Sequence, residues 1–505
     1  MNSTPPASTP SSSAWLPWAV VFVLVIAALL RVWNLSTWSM WEDEEGSITL
    51  AQKPFHGFQG YFPVFFVALN EVMQFTGPSV GAARVLPAVM GLLSIALTYG
   101  CFRRFTSSQA AALAALFVTL NVGHVFFSQS IRYYTTALVF QLLAMFWFLD
   151  GFERDRLVAL LLSILALVLA LLTHFSALLL APVFVGYLLF TAGLRETGAG
   201  YRPRNYLLFG LALGAVLLLF AWRAVQLRGM IGGWAIPSAR DPIHVGATVV
   251  GYFGVPVIGL GLLAPWLTGG LTQRVRLFLI TAAVIPVLEL LVIAQLNIVN
   301  VTWYYALVAL IGFALLAGAV LTGLWQRGRR AAAAVLGGAS VAYYVVFLGG
   351  YYLLWHGDRP RWDEAARYLA ESADVRPGGA NNPSVYATVP GVVAFYLGAD
   401  PRRPETYRVV NDLPLHPGTP PEDRGVWYVV EAKVVSPEYR TWFAERCALR
   451  ARFESLAGPI DRSVLVYQYI GEANGSVRAE DWEPHPPGQR GRAPLRSGSG
   501  LAWNR

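Results

Sequence analysis

The chain has 505 residues, 55% of them apolar and only 13% charged, with a positive mean hydropathy. This composition excludes an ordinary soluble globular protein and points to an integral membrane protein, since its apolar runs are long enough to cross a hydrocarbon core of roughly 30 Å. The net charge of +8 does not form a nucleic-acid footprint. Arg103 with Arg104, Arg154 with Arg156, Arg202 with Arg204, Arg274 with Arg276, and Arg327 to Arg330 all fall between apolar runs, as cytoplasmic loops do under the positive-inside rule.

Residues 1–13 are rich in Ser, Thr and Pro and lack the basic segment of a cleaved signal peptide, so a disordered tail before an uncleaved first span is expected. Spans are predicted at about 14–33, 80–102, 108–127, 133–150, 157–173, 175–193, 205–222, 246–268, 277–296, 303–324 and 331–354. That makes about eleven, and with the N-terminus in the cytoplasm every arginine group lies inside. The same phasing places residues 35–79, 129–134, 173–174, 223–245 and 297–303 on the outer face. Residues 35–79 are too polar and too broken by Pro and Gly to span, and they read as interfacial helices with Trp33, Trp38 and Trp41 as anchors.

After Trp355 charges, Pro and Gly rise and no membrane-length run follows. A helix is predicted over 361–371 and strands over 385–389, 426–430 and 463–469, giving a small α/β domain at 356–471 on the periplasmic side. Residues 472–505 read as a disordered tail. Cys101 and Cys447 fall on opposite sides of the membrane in this scheme and form no disulfide framework. The fold class expected is thus an α-helical polytopic membrane protein, residues 14–355, with a small C-terminal α/β domain.

The densest chemistry is Glu42-Asp43-Glu44-Glu45, just beyond the first span. Carboxylates at a membrane edge are costly unless paired or used, which marks a functional site. Ser39 and Glu42 have capping-box spacing, and acidic residues in a helix's first turn are favoured by its dipole. Capping explains Glu42 but not four carboxylates in a row. Glu289 lies inside a predicted span and must be neutral, paired or cavity-facing.

Trp41-Glu42-Asp43-Glu44, following Arg31 at the end of the first span, resembles the aromatic-x-Asp-Glu motif of bacterial GT-C glycosyltransferases of the protein-mannosyltransferase and aminoarabinose-transferase type. Gln129, Arg132 and Tyr134 match that family's Gln-Glu-x-Arg-x-Tyr segment, with Ser130 at the usual glutamate position. Thr173-His174-Phe175 resembles its Thr-His-aromatic segment, and 362–369 the first helix of its outer domain. Tyr61-Phe62-Pro63-Val64-Phe65 stands where relatives often have His-Pro-Pro-aromatic, and Trp303-Tyr304-Tyr305 where an Arg-Tyr pair is common.

The resemblance implies an inverting glycosyltransferase of the bacterial inner membrane that takes a sugar from a polyprenyl-phosphate carrier on the periplasmic face. The acceptor would be a lipid, a glycan or a protein. Such a reaction needs a carboxylate to take the acceptor's proton and a cation to hold the phosphate leaving group. Asp43 is the expected base, with Glu44 beside it. Arg132 and His174 are the expected phosphate contacts, with Gln129, Tyr134, Lys53 and His56 lining the same substrate site. No zinc-ligand spacing or Gly-rich phosphate loop occurs, so a divalent metal is left open and a soluble nucleotide-sugar is disfavoured as donor. Two other readings compete: a transporter using membrane-edge carboxylates, although no internal repeat is evident, and an inactive scaffold, for which the departures at Ser130 and 61–65 speak.

Overall fold

The computed structural model describes residues 16–53, 63–77, 79–193, 203–226, 237–268, 270–297, 299–372, 384–398, 408–410, 426–457 and 460–470. The expected tails, His56 and the centre of the 223–245 loop lie outside them. The chain divides into two compact units, Met1–Arg359 and Pro360–Arg505.

The first unit is helical: α1 (Leu16–Val32), α2 (Glu42–Ala51), α3 (Pro63–Thr76), α4 (Val80–Phe102), α5 (Ser108–Leu120), α6 (Val122–Ser128), α7 (Tyr134–Glu153), α8 (Leu157–Thr173), α9 (Leu180–Gly193) and α10 (Pro203–Gln226). After these come α11 (Pro242–Phe253), α12 (Val255–Leu262), α13 (Ala264–Leu267), α14 (Gln273–Gln295), α15 (Leu307–Gln326) and α16 (Arg330–Leu353). Among the described residues six helices are long and apolar enough to cross a membrane, or eight if each of two bent pairs is one span. The chain is a multi-pass membrane protein.

The expectation of about eleven spans also counted α1, α8 and Phe175–Thr191. These are shorter apolar helices, α1 and α8 having 17 residues each, at the lower end of the length that spans a hydrocarbon core.

Helix α15 is the hub. Its residues Leu307–Leu321 are all buried, because the helix is apolar on all sides and carries Gly and Ala where neighbours come close. A Cβ on Gly312 would stand 2.8 Å from the backbone nitrogen of Ala283 in α14, and one on Gly318 would strike the Ala110 carbonyl in α5.

Two predicted spans are bent, and one side chain stitches both bends. The α5–α6 pair turns by 67° and the α11–α12 pair by 97°. Asn121 caps α6, its Oδ1 accepting from the His124 amide at 2.9 Å, while its Nδ2 donates to the Tyr252 and Phe253 carbonyls at 2.8 and 3.2 Å. Those carbonyls end α11 before Gly254, whose φ of +91° only glycine adopts without strain. The α5–α6 bend aims α6 at the turn 129–133, which is where the site is built.

Within 35–79 the chain forms α2 and α3. Helix α3 buries Phe65, Phe66, Leu69 and Met73 on one stripe. Trp33 is exposed, but Trp38 is only 5% exposed. Its ring packs on Tyr351 and Tyr352 at 5.1 and 5.3 Å, so it is a core residue. The cap of α2 also differs from the Ser39–Glu42 reading. Trp41 is the N-cap, and its amide donates to Glu44 Oε2 at 3.2 Å.

The second unit carries α17 (Trp362–Glu371), α18 (Pro390–Leu397), α19 (Pro437–Arg446) and strands β1 (Ser384–Ala387), β2 (Arg408–Val410), β3 (Trp427–Glu431), β4 (Cys447–Phe453), β5 (Leu456–Ala457), β6 (Ile460–Asp461) and β7 (Val464–Tyr469). The main sheet has the order β2-β1-β3-β7-β4. β1 is parallel to β2 and β3, while β7 runs antiparallel to β3 and β4. Every residue of β3 is buried, the pattern of a central strand covered on both faces. Tyr428, Val430, Trp442, Phe443, Leu465 and Tyr467 share its core. This is the small α/β region expected after the helical part. Cys101 and Cys447 are both free and buried.

Candidate active site

The four carboxylates fill the first turn of α2, where the helix dipole favours negative charge. A step of about 100° per residue sends them in different directions. Glu42 is exposed and Glu45 half-buried, with Glu45 accepting from Thr49 Oγ1 at 2.7 Å. Glu44 joins Ser47, Ile48 and Ala51 on the buried stripe. Asp43 lies between, its side chain 35% exposed.

Glu44 is completely buried and held as an anion. Arg84 of α4 clamps it in a fork, Nε to Oε1 at 2.9 Å and a terminal nitrogen to Oε2 at 2.7 Å. The Ile131 amide donates to Oε1 at 2.9 Å, and Arg359 Nε lies 3.7 Å from Oε2. Burial pushes the Glu44 carboxyl up, but the charge and hydrogen bonds of Arg84, the charge of Arg359 and the Ile131 amide outweigh it and hold the carboxyl below the usual range. Arg84 also donates to the Leu35, Trp38 and Ser39 carbonyls at 3.0, 2.9 and 3.0 Å. One buried ion pair thereby ties α2, α4, the 35–39 segment and the 129–133 turn together.

Asp43 faces Arg132. A terminal guanidinium nitrogen is 3.3 Å from Asp43 Oδ2. The guanidinium also donates to the Asp43 carbonyl at 3.2 Å, to Ser47 Oγ at 3.3 Å and to Tyr133 Oη at 2.6 Å. Burial opposes its charge, but Tyr133 and Asp43 prevail and hold it well above its ordinary value. The guanidinium lies 4.5 Å from the Tyr133 ring centre and 6.0 Å from that of Trp41, distances suited to cation–π attraction.

Aromatic rings continue from there. His174 stacks on Tyr133 at 4.4 Å, meets Tyr134 at 5.0 Å and Tyr305 at 5.2 Å, and Tyr134 meets Tyr304 at 4.7 Å. The Trp303-Tyr304-Tyr305 segment thus joins the 129–134 turn and 173–174 at one corner, with Asp43 and Arg132 beside them. His174 Nδ1 lies 2.8 Å from Ser176 Oγ and accepts from the Ser176 amide at 3.2 Å. Burial and the Arg132 charge push its pKa well below 6.5, so the imidazole is neutral at neutral pH.

That shift fixes a pH dependence. A histidine whose folded pKa lies below its unfolded value binds fewer protons when folded, so stability falls as pH drops below about 6.5. His174→Phe, which keeps the stack on Tyr133, should flatten the fall between pH 6.5 and 5 in thermal unfolding. An unchanged slope would assign the acid lability elsewhere.

The other expected residues are placed as follows. Gln129 is fully buried, its amide donating to the Leu30 and Trp33 carbonyls at the end of α1 at 2.9 and 2.8 Å and accepting from Tyr351 Oη at 3.0 Å. Ser130 Oγ accepts from Arg359 at 2.8 Å. Lys53 is exposed just past α2. Arg84 and Arg359 were not singled out from sequence. Arg84 could have been, as a charge a few residues inside an apolar helix needs a partner, whereas nothing in the pattern around Arg359 marks it. Among the described residues no three His, Cys, Asp or Glu side chains form a group able to hold a metal ion.

The fold matches solved membrane glycosyltransferases. ArnT from Cupriavidus metallidurans in the apo state is 16% identical with a TM-score of 0.56, the match covering 90% of this chain and 98% of that one. The same protein bound to undecaprenyl phosphate gives 15%, 0.54, 90% and 98%. The Archaeoglobus fulgidus oligosaccharyltransferase in its apo form is 11% identical with a TM-score of 0.52, covering 92% of this chain and 75% of that one. No curated protein sequence matches. The fold is that of the GT-C glycosyltransferases. Within it, residues 56–222 match the family described as dolichyl-phosphate-mannose-protein mannosyltransferase, a stretch that contains the 127–134 segment and leaves residues 41–44 outside.

Proposed function

We propose that the chain is an inverting glycosyltransferase that moves a sugar from a polyprenyl-phosphate carrier to a hydroxyl of a lipid, glycan or protein acceptor at the periplasmic face of a bacterial inner membrane. The observation that carries this is the half-exposed Asp43 carboxylate 3.3 Å from Arg132, set in an aromatic corner of a GT-C fold. The likeness to a protein solved with undecaprenyl phosphate supports the carrier.

In this reading Asp43 takes the proton of the acceptor hydroxyl as its oxygen bonds to the anomeric carbon. The bond from that carbon to the carrier phosphate breaks, and its electron pair leaves with the phosphate, whose charge Arg132 stabilises. Attack and departure occur on opposite sides of the anomeric carbon, so the Asp43–Arg132 pair must part when donor binds. An incoming phosphate gives Arg132 a stronger anion and frees Asp43 to act as base. Partly exposed Tyr304 and Tyr305 offer ring surface for the sugar, backed by the buried Tyr133, Tyr134 and His174, and neutral His174 adds no charge to compete with Arg132. Glu44 and Gln129, buried and fully engaged, hold the site and do not touch substrate.

Arg132→Ala should weaken binding of undecaprenyl phosphate by about 10- to 100-fold, the loss expected for hydrogen bonds to a charged group. Arg103→Ala, removing an exposed arginine on the expected cytoplasmic side, should leave binding unchanged in the same detergent or nanodisc titration. Equal losses would remove Arg132 from the phosphate.

A further inference from the structure

Arg359 is the last residue of the first unit, lies beyond the end of the last apolar helix, and is completely buried. One terminal nitrogen donates to the Gln129 carbonyl at 2.9 Å and to Ser130 Oγ at 2.8 Å. The other donates to the Gly357 carbonyl at 2.8 Å and to Tyr351 Oη at 3.3 Å. Its Nε faces Glu44 at 3.7 Å, and its plane lies 4.8 Å from the Phe126 ring centre.

These partners converge on the turn between α6 and α7. Gln129 anchors one end of that turn to α1, Ile131 is bonded to Glu44, and Arg132 follows with its amide on the Ser130 carbonyl at 2.6 Å. Arg359 meets the turn at residues 129 and 130 and meets Glu44 as well. The guanidinium therefore braces the turn three and two residues before Arg132, at the Gln129 carbonyl and Ser130 Oγ, and the carboxylate one residue after Asp43.

We propose that Arg359 is a positioning residue for transfer: it locks the 129–132 turn against Glu44 so that the Arg132 guanidinium is presented to Asp43 and to the donor phosphate. This rests on the glycosyltransferase reading above. The planar fork is essential to the role, because its two terminal nitrogens meet four acceptors, whereas a lysine has a single nitrogen with three donors.

The test uses the full-length protein in nanodiscs, with Arg359→Lys and, as a milder variant that removes one acceptor and no charge, Ser130→Ala. Hydrogen exchange at the Ile131 and Arg132 amides should quicken about tenfold in Arg359→Lys and by a smaller factor in Ser130→Ala, with exchange in α14 and α15 unchanged. Transfer by folded Arg359→Lys should fall about tenfold, and adding Arg132→Lys should cost little more than Arg132→Lys alone, since residues acting through one element are non-additive. Unchanged exchange at 131–132, an equal rise through all helices, or additive losses in the double variant each overturn the proposal. A wild-type chain that transfers no sugar counts against the proposed function, and the exchange measurement then decides the positioning of the turn by itself.

Discussion

Asp43→Asn should leave the protein folded and inserted, and able to bind its lipid donor, while sugar transfer falls by something like 10²–10⁴, the range for a lost general base. The amide keeps the size of the side chain but cannot take the acceptor's proton. Stability should barely change, because the pair it breaks is partly exposed, with Asp43 at 35%, and such pairs contribute little. The structure adds a second expectation. Arg132 keeps its bonds to the Asp43 carbonyl, Ser47 and Tyr133 but loses its competing carboxylate, so donor affinity should hold or improve as turnover collapses. The measurement is transfer of a radiolabelled sugar from a polyprenyl-phosphate donor, with titration of undecaprenyl phosphate alongside. Undiminished transfer would take the role of base from Asp43. A loss of donor binding as large as the loss of turnover would mean that the carboxylate organises the site and does not act in the chemistry.

The position of this chemistry was legible in the sequence because dense carboxylates beyond a span are conspicuous and the flanking motifs match a known pattern. The division of labour among the carboxylates was not. Which of Glu42, Asp43, Glu44 and Glu45 turns inward depends on where α2 begins, and the cap is Trp41 and not Ser39, a shift that rotates every side chain. The strands predicted at 385–389, 426–430 and 463–469 appear as β1, β3 and β7, since buried β-branched runs between turn residues carry their own signal. The bends at Asn121 and Gly254 were hidden inside runs read as continuous spans, because apolar composition does not register a polar cap whose partners lie 131 and 132 residues away. Arg359 was illegible for the same reason. Its partners Gln129 and Ser130 are 230 and 229 residues distant, and the composition change at Trp355 set it outside the helical part.

Glu44→Gln should act on the fold where Asp43→Asn acts on the reaction. Glu44 and Arg84 are both fully buried, and removing one partner of such a pair typically costs about 3–5 kcal/mol, because the remaining charge keeps its desolvation penalty without its counterion. The glutamine carbonyl can still accept from the Ile131 amide, so the turn keeps one bond. Its NH₂ group, however, is turned toward guanidinium donors that now find no acceptor. Unfolding in mixed micelles should therefore shift by several kcal/mol, and yield should drop. Transfer per folded molecule should fall much less than in Asp43→Asn. A cycle with Arg84→Gln isolates the pair: the double variant should be less damaging than the sum of the singles by about 0.5–3 kcal/mol, the coupling expected of contacting residues. Should Glu44→Gln instead remain as stable as wild type while abolishing transfer, the buried carboxylate would be the reacting group and the proton acceptor would have to be moved from position 43 to position 44.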